Sequence, residues 1–310
     1  MLAFFHEAAY MGSHSAESMD FCASGRRFWR IKAGLVAARQ QIIIHAGFHR
    51  CASTAVQDML RARRAAIEAT GTALLLREDL EGWLTGRQLR LLYRHQDDSL
   101  VSSLRLKLVA SMLKRIRADR IVISEELLLG LMPGVRDTGF YPHFGNFLSA
   151  VKALSRSFDI ELRFIARRQD RFLESAYAFR VPRGTRLSFP DFVAPIGLEN
   201  ASWMRLLRQV EEAGLASACR FGVLESMPRA KRGRWAMNFL GLDELAPGEE
   251  IRLSGNRRLT ETELIDILGT PKQVRFTDAE RAAFLERLTA DNAAFLAHPM
   301  VNAPADAWRD

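Results

Sequence analysis

Residues 41–57 read QIIIHAGFHRCASTAVQ: three consecutive isoleucines, a short loop of small and basic residues, then the start of a helical pattern. An unbroken apolar run of this length, unlike an alternating one, predicts a strand covered on both faces, as in a parallel sheet. The continuation VQDMLRARRAAIEA sets Val56, Met59, Leu60 and Ile67 on one face at helical spacing. Strand, loop and helix in this order open a phosphate-binding α/β fold.

Laid on the nucleotide-loop pattern G-x-x-x-x-G-K-[ST], residues 47–54 put Gly47 on the first glycine and Ala52 on the second. Ser53 then falls on the lysine and Thr54 on the hydroxyl. The lysine that reaches β- and γ-phosphates is absent, and the nearest basic residue, Arg50, lies inside the loop. Backbone N–H groups of residues 50–55 at a helix start still predict an anion cradle, because a helix N-terminus carries unsatisfied donors and partial positive charge. Cys51 at a helix start is a conceivable nucleophile. The cysteine-phosphatase pattern, however, needs an arginine six residues on, where this chain has Gln57, so Cys51 reads as a small packing residue. His45 and His49 straddle a strand and a turn, a spacing that does not predict a shared metal.

Further strands are expected at TALLL near residue 72, at RIVIS over Arg120–Ser124 and at IELRFIA over 160–166. An amphipathic helix, SSLRLKLVASMLKRI, precedes RIVIS, and the helical run DRFLESAYAF follows IELRFIA. Arg167 ends the last of these strands and Ser175 lies about two turns into the next helix, so both can face one ligand at the carboxyl edge of the sheet. Beyond, the chain reads as helices broken by Pro182, Pro190, Pro195 and Gly197, then a short apolar stretch CRFGVL and a helix capped at Gly241. The expected fold class is α/β: a three-layer, P-loop NTPase-like fold with a mostly parallel central sheet and a helical C-terminal half. Residues 39–310 read as that domain. Residues 1–38 read as a loosely docked extension whose basic stretch, with Phe28, Ile31 and Leu35 on one face, is an option for peripheral contact with an anionic membrane.

Composition bounds the function. A hydrophobic share of 48% and a charged share of 26% are those of a globular chain and exclude wholesale disorder or a collagen-like structure. No apolar run approaches the roughly 18 residues of a membrane span. Three scattered cysteines fit neither a disulfide framework nor a zinc site and predict a reducing compartment. With Glu7 interrupting the apolar start, the expected location is the cytoplasm. The formal charge is +8, and 38 of the 44 basic residues are arginine, whose guanidinium forks onto phosphate, sulfate and carboxylate. An anionic nucleotide or acidic polymer is therefore the expected partner, with non-specific nucleic-acid binding as the rival.

These stretches together resemble the sulfotransferase family that uses 3′-phosphoadenosine 5′-phosphosulfate (PAPS), in particular its bacterial carbohydrate-modifying branches. IHAGFHRCASTAVQ is similar to the family's 5′-phosphosulfate loop, H-x-G-x-H-K-T-G-T-T-S-x-Q, and FIARRQDRFLESAY is similar to its 3′-phosphate motif, an arginine followed eight residues later by S-x-Y. Weaker echoes are ISEEL at 123–127, NFLGL at 238–242 and NRRLT at 256–260. The resemblance spans residues 41 to about 260. It implies PAPS as co-substrate without a metal, and a hydroxyl-bearing acceptor, a saccharide or glycolipid. It places Arg50, Cys51, Ala52, Ser53 and Thr54 on the 5′ side, and Arg167 and Ser175 on the 3′-phosphate. Glu126 becomes the general base, with Glu125 one residue away and His49 third. Three positions depart from the pattern: Arg50 replaces the loop lysine, Ala52 the loop glycine and Cys51 the first threonine. Arginine keeps the charge but cannot donate a proton. A nucleotide kinase and a non-catalytic nucleotide or nucleic-acid binder are the competing classes. Tyr141, His143 and Phe144, with Arg180 and Arg183, are candidates to line the acceptor cleft.

Overall fold

A computed structural model describes residues 39–134, 139–227, 232–242 and 259–309. The expected extension (1–38) and the Asn256, Arg257 and Arg258 of NRRLT lie outside the described residues. The first half alternates strand and helix: β1 (Gln41–His45), α1 (Ser53–Ala62), α2 (Arg64–Ala69), β2 (Thr72–Leu75), α3 (Arg77–Glu81), α4 (Leu84–Arg90), α5 (Leu100–Lys114), β3 (Arg120–Ser124) and α6 (Phe144–Leu154). The second half continues with β4 (Asp159–Ala166), α7 (Gln169–Arg180), α8 (Phe189–Val193), α9 (Trp203–Glu212), β5 (Cys219–Val223), α10 (Arg232–Phe239), α11 (Glu261–Leu268), α12 (Asp278–Arg287), α13 (Thr289–Leu296) and β6 (Val301–Asn302).

The six strands form one sheet in the order β2-β3-β1-β4-β5-β6, and every pairing is parallel. Side-chain alternation assigns its two faces. Phe164 of β4 and its register partner Phe221 of β5 meet Phe144 and Phe147 of α6 and Phe295 of α13. The neighbouring Arg163 turns the other way and donates to the Phe239 carbonyl at the end of α10, and Gly222 lies against Trp235 of the same helix. Helices thus cover both sides, which is the three-layer α/β arrangement the sequence predicts. Ile42, Ile43 and Ile44 are all buried, because β1 sits in the middle of the sheet.

Several local readings change. The helical run after the loop is two helices, broken at Arg63, although Val56, Met59, Leu60 and Ile67 are all buried as its spacing requires. Pro182 and Pro195 fall where α7 and α8 end, as read, and with Pro190 each occupies the first turn of a short helix, where proline lacks no needed N–H. The helix before β3 is not amphipathic, since Leu100, Val101, Leu104 and Leu108 face outward. The helix before Gly241 ends as expected, with that glycine at φ 66°.

Candidate functional site

From β1 the chain moves to β2 and β3 on one side, then to β4, β5 and β6 on the other. The carboxyl end of β1 is therefore the point where strand order reverses, the place where open α/β sheets form their ligand crevice. The loop that leaves this point is held from below. Phe48 is fully buried, with Trp203 at 4.6 Å, Tyr141 at 4.9 Å and Phe164 at 5.3 Å between ring centroids. The His49 N–H donates to the Tyr141 hydroxyl at 2.9 Å, and the Cys51 N–H to the Phe48 carbonyl at 3.2 Å. Gly47 is required by close approach: a Cβ there would stand 3.1 Å from Ser53 Cβ and 3.2 Å from the His45 ring.

Arg50 (φ 63°) and Ala52 (φ 68°) both adopt the left-handed region on either side of Cys51. Alternation of this kind is the backbone geometry of an anion-binding nest, here with the Cys51 N–H already given to the Phe48 carbonyl. Ala52 is also the N-cap of α1, and it offers no side-chain acceptor to the first-turn amides. No side chain caps those amides, and an uncapped helix N-terminus attracts negative charge.

Cations from three elements converge on this nest. Arg50 Nε donates to Ser175 Oγ at 3.1 Å, and Arg167 Nη1 donates to the Arg50 carbonyl at 3.2 Å, joining segments more than a hundred residues apart. The Arg50 and Arg183 guanidinium groups both lie over the Phe179 ring, at 4.7 and 3.5 Å. Ser175 and Phe179 are one helical turn apart on α7, so a single helix face holds Arg50 by hydrogen bond and by ring contact. Burial lowers the Arg50 pKa, and the like charges of Arg167 and Arg183 lower it further. A guanidinium remains charged under such pressure, so the cluster presents a positive potential, offset in part by Glu126, that an anion would relieve. Arg167 is itself steadied by Trp203 Nε1, which donates to its carbonyl at 2.7 Å, and by Glu225 at 3.9 Å. The adjacent Arg168 has a different task. It is buried and forks onto Asp170 at 2.8 and 3.0 Å, in a network that Arg281 extends to Glu174.

The two glutamates after β3 divide in the same way. Glu125 is fully buried, pairs with Arg77 at 2.9 Å and accepts the Leu127 N–H at 2.9 Å, so it fixes the turn. Glu126 is partly exposed; one oxygen accepts from Ser53 Oγ of the loop and the other pairs with Arg77 at 3.0 Å. Burial raises its pKa, but the His49 ring, the Ser53 hydroxyl and the Arg77 guanidinium outweigh that, and the carboxylate is held below its usual range. It is ionised at neutral pH, with lone pairs left to accept another proton. His49 and His45 are both pulled down to about 4 by burial and are neutral at pH 7.

Of the residues singled out in the sequence, His49, Arg50, Ala52, Ser53, Arg167, Ser175 and Glu126 thus meet around one loop. Thr54 is exposed on the first turn of α1. Ser53 is engaged by Glu126, a contact its expected role in holding the 5′ end did not include. Cys51 is fully buried and burial pushes its thiol pKa upward, which fits packing and not nucleophilic attack. Tyr141 and Phe144 are buried: Tyr141 props the loop, Phe144 packs on the sheet, and neither lines an acceptor cleft. Phe179, Trp203, Glu225 and Arg77 carried no sequence signal, since each acts through a partner distant in the chain. A cavity of about 340 Å³ lies elsewhere, between α8 and α12, and shares no lining residue with the loop. No group of three or more His, Cys, Asp or Glu side chains placed to hold a metal occurs among the described residues, and no helix among them is long and apolar enough to cross a membrane. Comparison of the chain with models of known families, with curated proteins and with solved structures gives no match.

Proposed function

We propose that this protein is a sulfotransferase that moves a sulfuryl group from PAPS to an acceptor hydroxyl on a saccharide or glycolipid. The observation that carries the reading is the junction of the two anion-binding segments, Arg50 with Ser175 and Arg167 with the Arg50 carbonyl. One cationic surface of that extent suits a ligand with phosphate groups at two positions, and PAPS differs from ATP in its separate 3′-phosphate. In the proposed reaction the acceptor oxygen forms a bond to sulfur as the bond from sulfur to the 5′-phosphate oxygen breaks, and adenosine 3′,5′-bisphosphate leaves. Transfer of this kind is in-line and loose, so the protein's part is position and charge. Arg50 and the nest amides stabilise charge growing on the leaving phosphate. Glu126, ionised and held beside the loop by Ser53 and Arg77, takes the acceptor proton.

The absence of a nucleotide-loop lysine weighs against a kinase. Incubation of the full chain with sulfur-labelled PAPS and a panel of neutral and acidic polysaccharides tests the proposal. Label should pass to a hydroxyl-bearing polymer without added metal, and Glu126→Gln should lower the rate by about 10² to 10⁴. Nucleotide binding with no transfer to any acceptor would leave a non-catalytic binder as the better reading.

A further inference from the structure

Among the described residues, one side of α5 is packed and the other is not. Ser102, Val109 and Leu113 are buried where the helix rests on α4 and α6. Leu100, Val101, Leu104 and Leu108 are 74%, 65%, 56% and 39% exposed, four of the six large apolar side chains exposed among the described residues. At 100° per residue Leu100, Leu104 and Leu108 share one face with Ser111 and Arg115, a ridge at i, i+4 and i+8 of the kind that interdigitates in helix pairs. The charges at the two ends differ. Asp97 and Asp98 precede the helix, Lys114 closes it, and Arg115 and Arg117 follow; all five are exposed.

We propose that this face binds a second copy of the chain, with the two α5 helices antiparallel about a two-fold axis. The register that sets Leu104 level with Leu108 of the second copy also sets Asp97, which lies 2.9 Å from the His95 ring, level with Arg115, and Asp98 level with Lys114. Two-fold symmetry makes each contact twice. Arg105, which this register would bring toward Lys107, is turned to its own chain by hydrogen bonds to Gln88 and to the Leu91 carbonyl, both at 3.2 Å. A parallel pair would set acids against acids and bases against bases. An anionic membrane would attract the basic end and repel the acidic one. A single helix pair buries less than the roughly 1,200 Å² of a standard interface, so the dimer is a concentration-dependent one.

Sedimentation velocity of the full chain over about 1 to 100 μM tests this. Wild-type protein should pass from monomer to dimer across the range. Leu104→Glu, at an exposed position that leaves the fold intact, should weaken association by at least about tenfold, the equivalent of 1.4 kcal/mol. Asp98→Lys and Lys114→Asp should each weaken it, and the two together should restore it. A wild-type chain monomeric throughout, a dimer that survives Leu104→Glu, or a double exchange that fails to restore association would each overturn the proposal. So would a monomer that sediments with vesicles of anionic phospholipid in a Leu104-dependent way, which would assign the face to lipid.

Discussion

Ala52→Gly should stabilise the protein, although alanine-to-glycine changes usually do the reverse. Ala52 sits at φ 68° and ψ 16°, left-handed geometry in which a Cβ crowds the following carbonyl oxygen. That crowding costs about 1 to 2 kcal/mol. Glycine relieves it, at the expense of about 0.4 to 1 kcal/mol of added freedom in the unfolded chain. The balance is a gain of about 0.5 to 1 kcal/mol. Ala110 supplies the control, because it lies inside α5, where glycine costs about 1 kcal/mol. Urea unfolding of both variants should therefore shift the midpoint in opposite directions, the two differing by about 1.5 to 2 kcal/mol. Equal destabilisation by the two substitutions would refute the left-handed assignment and the amide nest built on it.

Glu125→Gln and Glu126→Gln should separate stability from chemistry. The first breaks a buried pair and should cost about 2 kcal/mol or more in denaturant unfolding, while the second should change stability by less than about 1 kcal/mol. Arg50→Ala should lower turnover by about 10² through lost charge stabilisation, with a smaller fall in product affinity by calorimetry. The pH dependence of unfolding follows from His45 and His49, which titrate near 4 in the folded chain and near 6.5 when unfolded. Between those values the unfolded chain binds more protons, so stability should fall as pH drops from about 6.5 toward 4, and His45→Asn should flatten that slope. Above about pH 7 these two histidines contribute no slope.

The central strand, the loop and α7 were legible in the sequence because each carries its own local pattern: three isoleucines, a small-residue turn, and a helix that starts at a strand end. The meeting of Arg50 with Ser175 was legible only as an expectation, from two motifs at the same sheet edge. Arg167 and Arg168 are alike in the sequence. Only Asp170, onto which Arg168 forks in the core and with which Arg281 also pairs, separates the structural arginine from the one facing the loop. Tyr141 resembled an acceptor-cleft residue because an exposed aromatic loop and a buried prop have the same composition; the distinction lies in the His49 N–H that the hydroxyl accepts. α5 misled in another way, since its apolar residues occupy two faces and its outer leucines are exposed, with no partner among the described residues. β6 is a two-residue strand at the sheet edge, too short for periodicity to mark.

Calorimetric titration of the full chain with adenosine 3′,5′-bisphosphate, beside AMP and without metal, tests the two-phosphate site most directly. Arg167 and Ser175 should add charge-assisted hydrogen bonds worth about 1.5 to 3 kcal/mol, so the bisphosphate should bind at least about tenfold more tightly than AMP, and Arg167→Ala should erase the difference. Equal affinity of the wild-type protein for the two nucleotides would contradict the account.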